Sequence, residues 1–374
     1  MIPSRRPRSH PFAVASLLVL AALVGAVAIA SIWANRQLLD TPSWVSVSGR
    51  LLESRQIRHR VAVFLGDELV AETETQLAAA GQDEAVEEMV PRLRRQSTGL
   101  AERAMATPRF RVVWLRANRS GHRALLRVLD AEGDGRDGER TVALNLTPAL
   151  RELADTVGAS GLARQLGVAD LGTFVQPGAG RIEVLEADEL NRAQNVVRTI
   201  RHVPVPATIA AVLLLALALL LGRRRLSGAF LGVGIALAAS GALALLARAL
   251  AGHQIVDQLL SRNADREAAE AAWRIATSTL VDLSTAAIGL GALIVIWALL
   301  SGPSDGATGA RRRLAPLLRT PLARLWTLLG AVLIFVAMVA WAPIAAFESP
   351  LGVLLFAAVF GGGALVVARE AILD

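Results

Sequence analysis

The chain has 374 residues, 53% of them hydrophobic, a formal net charge of +7 and no cysteine. A mean hydropathy of +0.47 is too apolar for an ordinary soluble domain, and the missing thiol excludes a disulfide framework, a thiolate metal site and a cysteine nucleophile. Every basic residue is arginine and there is no lysine or tyrosine, a bias that fits G+C-rich coding and weakens the excess charge as a sign of a nucleic-acid partner.

A basic tail, 1–11, with Arg5, Arg6 and Arg8, precedes an uncharged apolar run at 12–34. About 20 apolar helical residues cross a bilayer core, whereas the apolar core of a cleaved signal peptide is only about 7–15 residues. Residues 12–34 therefore read as a first transmembrane helix and an uncleaved signal-anchor. The runs 203–222, 226–250, 275–300, 325–347 and 351–367 read as spans two to six, the last being the shortest. Pro343 and Pro350 suit a short external hairpin between the last two.

Orientation follows from arginine. The tail 1–11, the turn 223–225 with Arg223, Arg224 and Arg225, and the loop 301–324 with Arg311, Arg312, Arg313, Arg319 and Arg324 together carry more positive charge than the whole chain's net +7. The tail 368–374 carries Arg369 against Glu370 and Asp374. Basic charge on short connectors marks the cytoplasmic side, so both termini are expected inside a cell membrane. The leucine-rich part of the basic loop is open between an inner-leaflet helix contacting anionic lipid and a plain loop, because Pro316 and Pro321 interrupt it. Trp33, Trp273 and Trp341 fall at expected outer span ends, and Trp297 and Trp326 at inner ends, the level that the indole ring favours.

Three features inside the spans are open between two readings. Gly228 and Gly232 form a GxxxG step that serves either an oligomer seam or packing within this bundle. Arg248 and Asp282 are charges within apolar runs. They are either an intramembrane ion or proton site, or structural groups that pair or reach the outer interface. Gly361, Gly362 and Gly363 either mark a bend or close packing in span six or are glycines that a membrane helix tolerates.

Residues 35–202 are long enough for one extracytoplasmic domain. From Arg36 to Arg201 there are 23 arginines and 23 acids, so the domain has no excess charge to offer a nucleic acid. Its pattern is chiefly helical. Asp40 or Thr41 caps a first helix with Pro42 in its first turn, and Trp44, Val47 and Leu51 share a face. Ile57, Val61, Phe64, Leu65 and Leu69 mark a second helix. Val86, Met89, Val90, Leu93 and Leu100 mark a third, which Pro91 is expected to kink or break. A fourth starts at Thr107 and Pro108 and turns Phe110, Val113, Trp114, Ala117, Leu125 and Leu129 inward. After a glycine- and charge-rich loop at 130–140, the alternating runs 141–146 and 181–185 are expected to form a small two-stranded β ribbon, with a helix from Thr147 and Pro148 between them. A last helix from Asp188 leads to the second span. A second external piece, 251–274, holds a short helix capped by Asn263.

Chemical signals are sparse. Asp130, Glu132, Asp134 and Gly135 imitate half of an EF-hand loop, but Thr141 stands where its bidentate glutamate belongs. None of the five histidines has metalloprotease spacing, and no phosphate-loop, dinucleotide or serine-hydrolase motif is present in context. No catalytic residue, metal ligand or cofactor site is assigned. Asn118, Arg119 and His122 lie about one turn apart and form either an external polar patch for a ligand or a buried hydrogen-bonded cluster.

The runs NRQLLDTPSWV, PRFRVVWLRANRSGHRALLRVL, TVALNLTPAL and RIEVLEADELNRAQ resemble those of a group of uncharacterised actinobacterial multi-pass membrane proteins, over roughly residues 12–305. The resemblance implies a large extracytoplasmic domain after the first span and brings no activity or catalytic residue with it.

The expected fold is an α-helical polytopic membrane protein with six transmembrane helices and a mainly helical extracytoplasmic domain bearing a small two-stranded β element. The expected function is non-enzymatic. The external domain would bind, sense or scaffold an envelope protein or cell-wall partner, with the lipid bilayer as the other contact. The alternative is a transporter or channel subunit using Arg248 and Asp282.

Overall fold

Pro11–Leu39 forms α1, because an uncharged run of Leu, Ala and Val has no helix-breaking residue after its first position and satisfies its own backbone polar groups only as a helix in lipid. The computed structural model describes residues 11–79, 81, 83–130, 142–145, 147–148, 150–151, 154–155, 181–185, 187–222, 226–260, 266–301, 356–358 and 360–362. Almost all of these are helical. Four helices are long and apolar enough to cross a membrane: Phe12–Leu39 (28 residues), Gln194–Gly222 (29), Ser227–Asp257 (31) and Ser278–Leu300 (23). They are compatible with a multi-pass membrane protein. The proposed fifth span, 325–347, and most of the sixth, 351–367, lie outside the described residues, as do 1–10, 131–141, 223–225, 302–324 and 368–374.

The chain divides into two compact units. One comprises Met1–Trp33, His202–Ala251 and Thr277–Asp374, the other Ala34–Arg201 and Gly252–Ala276. Both expected external pieces, 35–202 and 251–274, thus fall almost wholly within the second unit.

In the first unit, α1 is joined by α7 (Pro204–Gly222), α8 (Leu226–Leu260) and α10 (Ser278–Leu300). Small residues set their spacing. Leu18 of α1 meets Gly232 of α8, and Ser240 meets Gly25; the numbers rise together, so α1 and α8 run parallel. Gly234 of α8 meets Gly291 and Val295 of α10, while Gly241 meets Ser284 and Ile288; here one number rises as the other falls, so these helices run antiparallel. A Cβ on Gly234 would stand 2.8 Å from the Gly291 carbonyl oxygen, which only a glycine tolerates. Gly232 of the GxxxG step is thus packed inside the chain, against α1, and Gly228 is exposed. Trp297 meets Phe360 edge-on at 5.4 Å between ring centroids.

The second unit contains α2 (Thr41–Glu53), α3 (Arg55–Ala79), α4 (Asp83–Met105), α5 (Pro108–Asp130), α6 (Ala187–His202) and α9 (Arg266–Ala276). Its core gathers Leu52, Leu65, Leu69, Leu93, Phe110 and Trp114. α3 and α4 form an antiparallel hairpin whose turn contains Gly81 at φ +67°, the left-handed conformation that glycine adopts without strain. The other contacts pair α2 with α5 and set α9 against α2 and α3. Strands β1 (Val142–Asn145) and β2 (Arg181–Leu185) pair antiparallel, with Asn145 opposite Arg181, and β1 adjoins α5.

Several expectations need correction. Pro91 does not break α4, which runs through it with Val90 and Leu93 buried in the core; that packing holds the helix across the lost backbone bond. The buried residues of α2 are Val45, Val47, Ser48, Gly49 and Leu52, with Trp44 and Leu51 half-buried; the buried face is thus wider than the expected stripe, and Trp44 stacks on His122. Phe64 is 39% exposed and lies outside the core. α8 does not end at 250 but continues to Leu260, since nothing from Ala251 to Leu260 interrupts a helix. The helix expected within 251–274 runs to Ala276, and the fourth apolar helix starts at Ser278 rather than 275, with a turn at Thr277 between α9 and α10.

Candidate functional site

α5 carries the expected polar patch, and its two faces behave differently. Thr107 starts the helix: its Oγ1 accepts from Phe110 N at 3.2 Å, as an N-cap does. On the inner face Phe110 and Trp114 enter the core, and Trp114 Nε1 donates to Ser48 O at 2.9 Å. Asn118 and His122 follow on the same face. Asn118 Nδ2 donates to Trp114 O at 3.0 Å.

His122 is only 3% exposed. Its Nε2 lies 3.1 Å from Leu38 O, and its Nδ1 lies 3.1 Å from Thr41 Oγ1. A carbonyl only accepts, so Nε2 carries the hydrogen and Thr41 donates to Nδ1. Trp44 stacks on the ring at 5.0 Å and 21°. Burial holds the imidazole below its ordinary value, against the opposing influence of the Leu38 carbonyl and the Asp40 carboxylate. Every polar atom of the ring is satisfied, so His122 is a neutral pin between α5 and the α1–α2 corner. Asp40, beside it, accepts from Ser43 N at 2.9 Å and Ser43 Oγ at 2.7 Å. Those bonds hold its carboxyl below the usual carboxylate value.

Arg119 does not join this cluster. It points outward with Arg116, Arg123 and Arg127, and the four line an open groove of about 590 Å³ with Ser120 and Leu126. At 100° and 1.5 Å per residue, the four lie within roughly 80° of arc and span about 16 Å of helix. None of them has an ion pair among the described residues, whereas Arg111 pairs with Glu53 at 2.7 Å and Arg201 with Asp130 at 2.6 Å. α5 holds six arginines and a single acid, Asp130. The compensating acids sit elsewhere: between Arg60 and Arg92 the α3–α4 hairpin has eight carboxylates and no arginine. The unit is neutral in sum and polarised in space. Counting charge over 36–201 concealed this; the spacing of 116, 119, 123 and 127 opposite Trp114, Asn118 and His122 was the signal for it.

In the first unit, Arg248 Nε donates to Thr277 Oγ1 at 2.7 Å. Asp282 lies on α10 about 7 Å of helical rise beyond Thr277. Its backbone carbonyl accepts from Thr285 Oγ1 at 3.0 Å. Both Arg248 and Asp282 are half-buried. Ser284 is fully buried, and its Oγ has no hydrogen-bond partner among the described residues. Among the described residues no three His, Asp or Glu side chains converge as metal ligands would.

No family model matches this chain, nor does any curated protein or solved structure.

Proposed function

We propose that the chain is a membrane-anchored binding protein without catalytic activity. Its helical unit stands outside the cytoplasm and presents the arginine face of α5 to an envelope partner. The observation that carries the reading is the row of four outward arginines without acidic partners among the described residues, on a helix whose other face is locked into the core. Span direction supports the placement. α1 runs parallel to α8, and α8 antiparallel to α10, the alternation expected if the arginine-rich sequences 223–225 and 302–324 follow spans that end on the same side. Arginine-rich connectors stay in the cytoplasm. The two further apolar runs, at 325–347 and 351–367, bring the count to six spans and return the C-terminus to the inside. The resemblance to actinobacterial multi-pass proteins is part of the same proposal. The transporter reading is less supported, because Arg248 is held to the adjoining helix by a hydroxyl rather than left facing a path.

The absence of cysteine makes the placement directly testable. In intact cells a membrane-impermeant maleimide labels S120C, on the arginine face, and leaves S301C unlabelled until the membrane is permeabilised. Labelling of S301C alone would overturn the placement. Removing the cell wall then speeds labelling of S120C relative to E84C on the α3–α4 hairpin; equal rates before and after would remove the envelope partner.

A further inference from the structure

The reading of the helical unit as a binding module leaves open what it binds, and the inference here rests on that reading. We infer that the groove along α5 binds an extended, phosphate-bearing polymer, with Arg116, Arg119, Arg123 and Arg127 each engaging one phosphate. Successive arginines are separated along the helix by about 4.5–6 Å. The row is therefore linear, as a flexible chain of repeated charges requires. Each guanidinium offers a planar fork that matches a phosphate's oxygens with two parallel hydrogen bonds. None of the four has an acidic partner among the described residues, so binding breaks no ion pair.

The surroundings discriminate among anions. The aromatic residues of α5, Phe110 and Trp114, are both buried in the core. The face therefore has no platform on which bases would stack, and a single-stranded nucleic acid loses the contact that usually holds it. Val112 is the one large apolar side chain of α5 that is strongly exposed, at 54%. A helix that settles into a lipid headgroup layer needs a broad apolar face beside its cations, so an anionic bilayer fits less well. The eight carboxylates of the α3–α4 hairpin repel a polyanion and confine it to α5. What remains is a phosphodiester polymer whose repeating unit is small and non-aromatic, such as a polyol or sugar phosphate.

The test uses the full-length protein in zwitterionic nanodiscs and a fluorescent glycerol-phosphate oligomer, followed by anisotropy. At about 0.7 counterions released per phosphate, four contacts give a log–log salt slope of roughly −3 and binding roughly 50-fold weaker at 200 mM than at 50 mM salt. The variant R116Q/R119Q/R123Q/R127Q loses binding while keeping its melting temperature, since these side chains are exposed and have no ion pair among the described residues. Each single Arg→Gln change lowers the slope by about 0.7. The corresponding Arg→Lys variant keeps most of the slope but binds more weakly, because an ammonium lacks the fork. Four results overturn the inference: no binding at low salt, binding unchanged in the Gln variant, tighter binding of oligothymidine than of glycerol phosphate, or binding to vesicles of anionic lipid but not to the oligomer. Salt-sensitive self-association without oligomer binding would also overturn it, and would assign the face to the acidic hairpin of a second copy. If the oligomer fails while S120C remains wall-protected in cells, only the ligand class is wrong; if S120C is never labelled from outside, the binding-module reading fails as well.

Discussion

Arg248 of α8 and Thr277 at the head of α10 meet at 2.7 Å, seven residues along both helices from Gly241 and Ser284 and fourteen from Gly234 and Gly291. The three contacts form one antiparallel heptad seam, the repeat that keeps a single stripe of each helix facing its neighbour. Two of its layers bring backbones together through glycine. The third replaces close approach with a guanidinium–hydroxyl bond. Arg248 is thereby a member of the packing seam.

The seam assignment predicts energetic coupling. Arg248→Met and Thr277→Val each lower the thermal midpoint in detergent, and a double-mutant cycle gives a coupling of about 0.6–1.7 kcal/mol, the range for side-chain bonds between membrane helices. Independent effects would remove Arg248 from the seam. Asp282→Asn, reconstituted in proteoliposomes, leaves ion flux at the level of the unmodified protein; a flux that the substitution abolishes would return Arg248 and Asp282 to the transporter reading.

The glycine layers predict opposite outcomes for adjacent changes. Gly241→Leu drives a side chain into the Ser284 carbonyl and Ile288, and overpacking of this kind costs about 1–3 kcal/mol or more. Ser284→Ala instead removes a buried hydroxyl without a partner among the described residues, so it is neutral or stabilising. Gly228→Ala, at an exposed position, leaves the melting temperature unlowered. Melting curves of the three variants in one detergent decide the matter.

These contacts show where sequence was informative. The apolar runs that became α1, α7, α8 and α10 are legible because lipid imposes a length and an exclusion of charge on each span. The seam was not, because Gly228–Gly232 and Gly234–Gly241 are equally plausible as text, and only the position of α1 and α10 decides which glycine is covered. In the second unit, Phe110, Trp114 and Leu65 announced themselves by helical spacing. α2 was legible only in part, because Trp44, Val45, Val47, Leu51 and Leu52 offer two overlapping stripes and residues of both are buried, with Trp44 stacked on His122, 78 residues later. The arginine face was written in the spacing of α5 but was hidden by a charge balance summed over helices that point different ways.

His122 predicts a pH dependence of stability. Its folded-state value is lowered from 6.5, chiefly by burial, so the unfolded chain takes the proton first. Stability is full above 6.5 and declines as pH falls below that value toward the folded one. Asp40 acts in a lower window: its folded value lies below 3.8, and its contribution is lost only as pH falls through that region. Urea midpoints of the solubilised protein therefore drop in two stages on acidification, and His122→Asn flattens the first alone. A first stage unchanged in that variant would exclude His122 as its source.

Asp40 and Thr41 are neighbours with separable jobs. Sequence allowed either to cap α2; the structure gives the cap to Asp40, whose Oδ2 accepts from Ser43 N, and so leaves the Thr41 hydroxyl for His122 Nδ1. Asp40→Ala removes a cap worth about 1 kcal/mol, and it removes the carboxylate that favours protonated His122. Its first acid stage, still starting at 6.5, consequently extends to lower pH. Thr41→Val leaves the cap in place but deletes a donor that stabilises the neutral ring, so the folded imidazole takes its proton at higher pH and the first stage, still starting at 6.5, ends at higher pH. The two substitutions thus shift one transition in opposite directions. Comparing the pH profiles of the two variants by urea unfolding tests this; a shift of the same sign in both would mean that Thr41 does not donate to Nδ1 and that the ring carries its hydrogen on the other nitrogen.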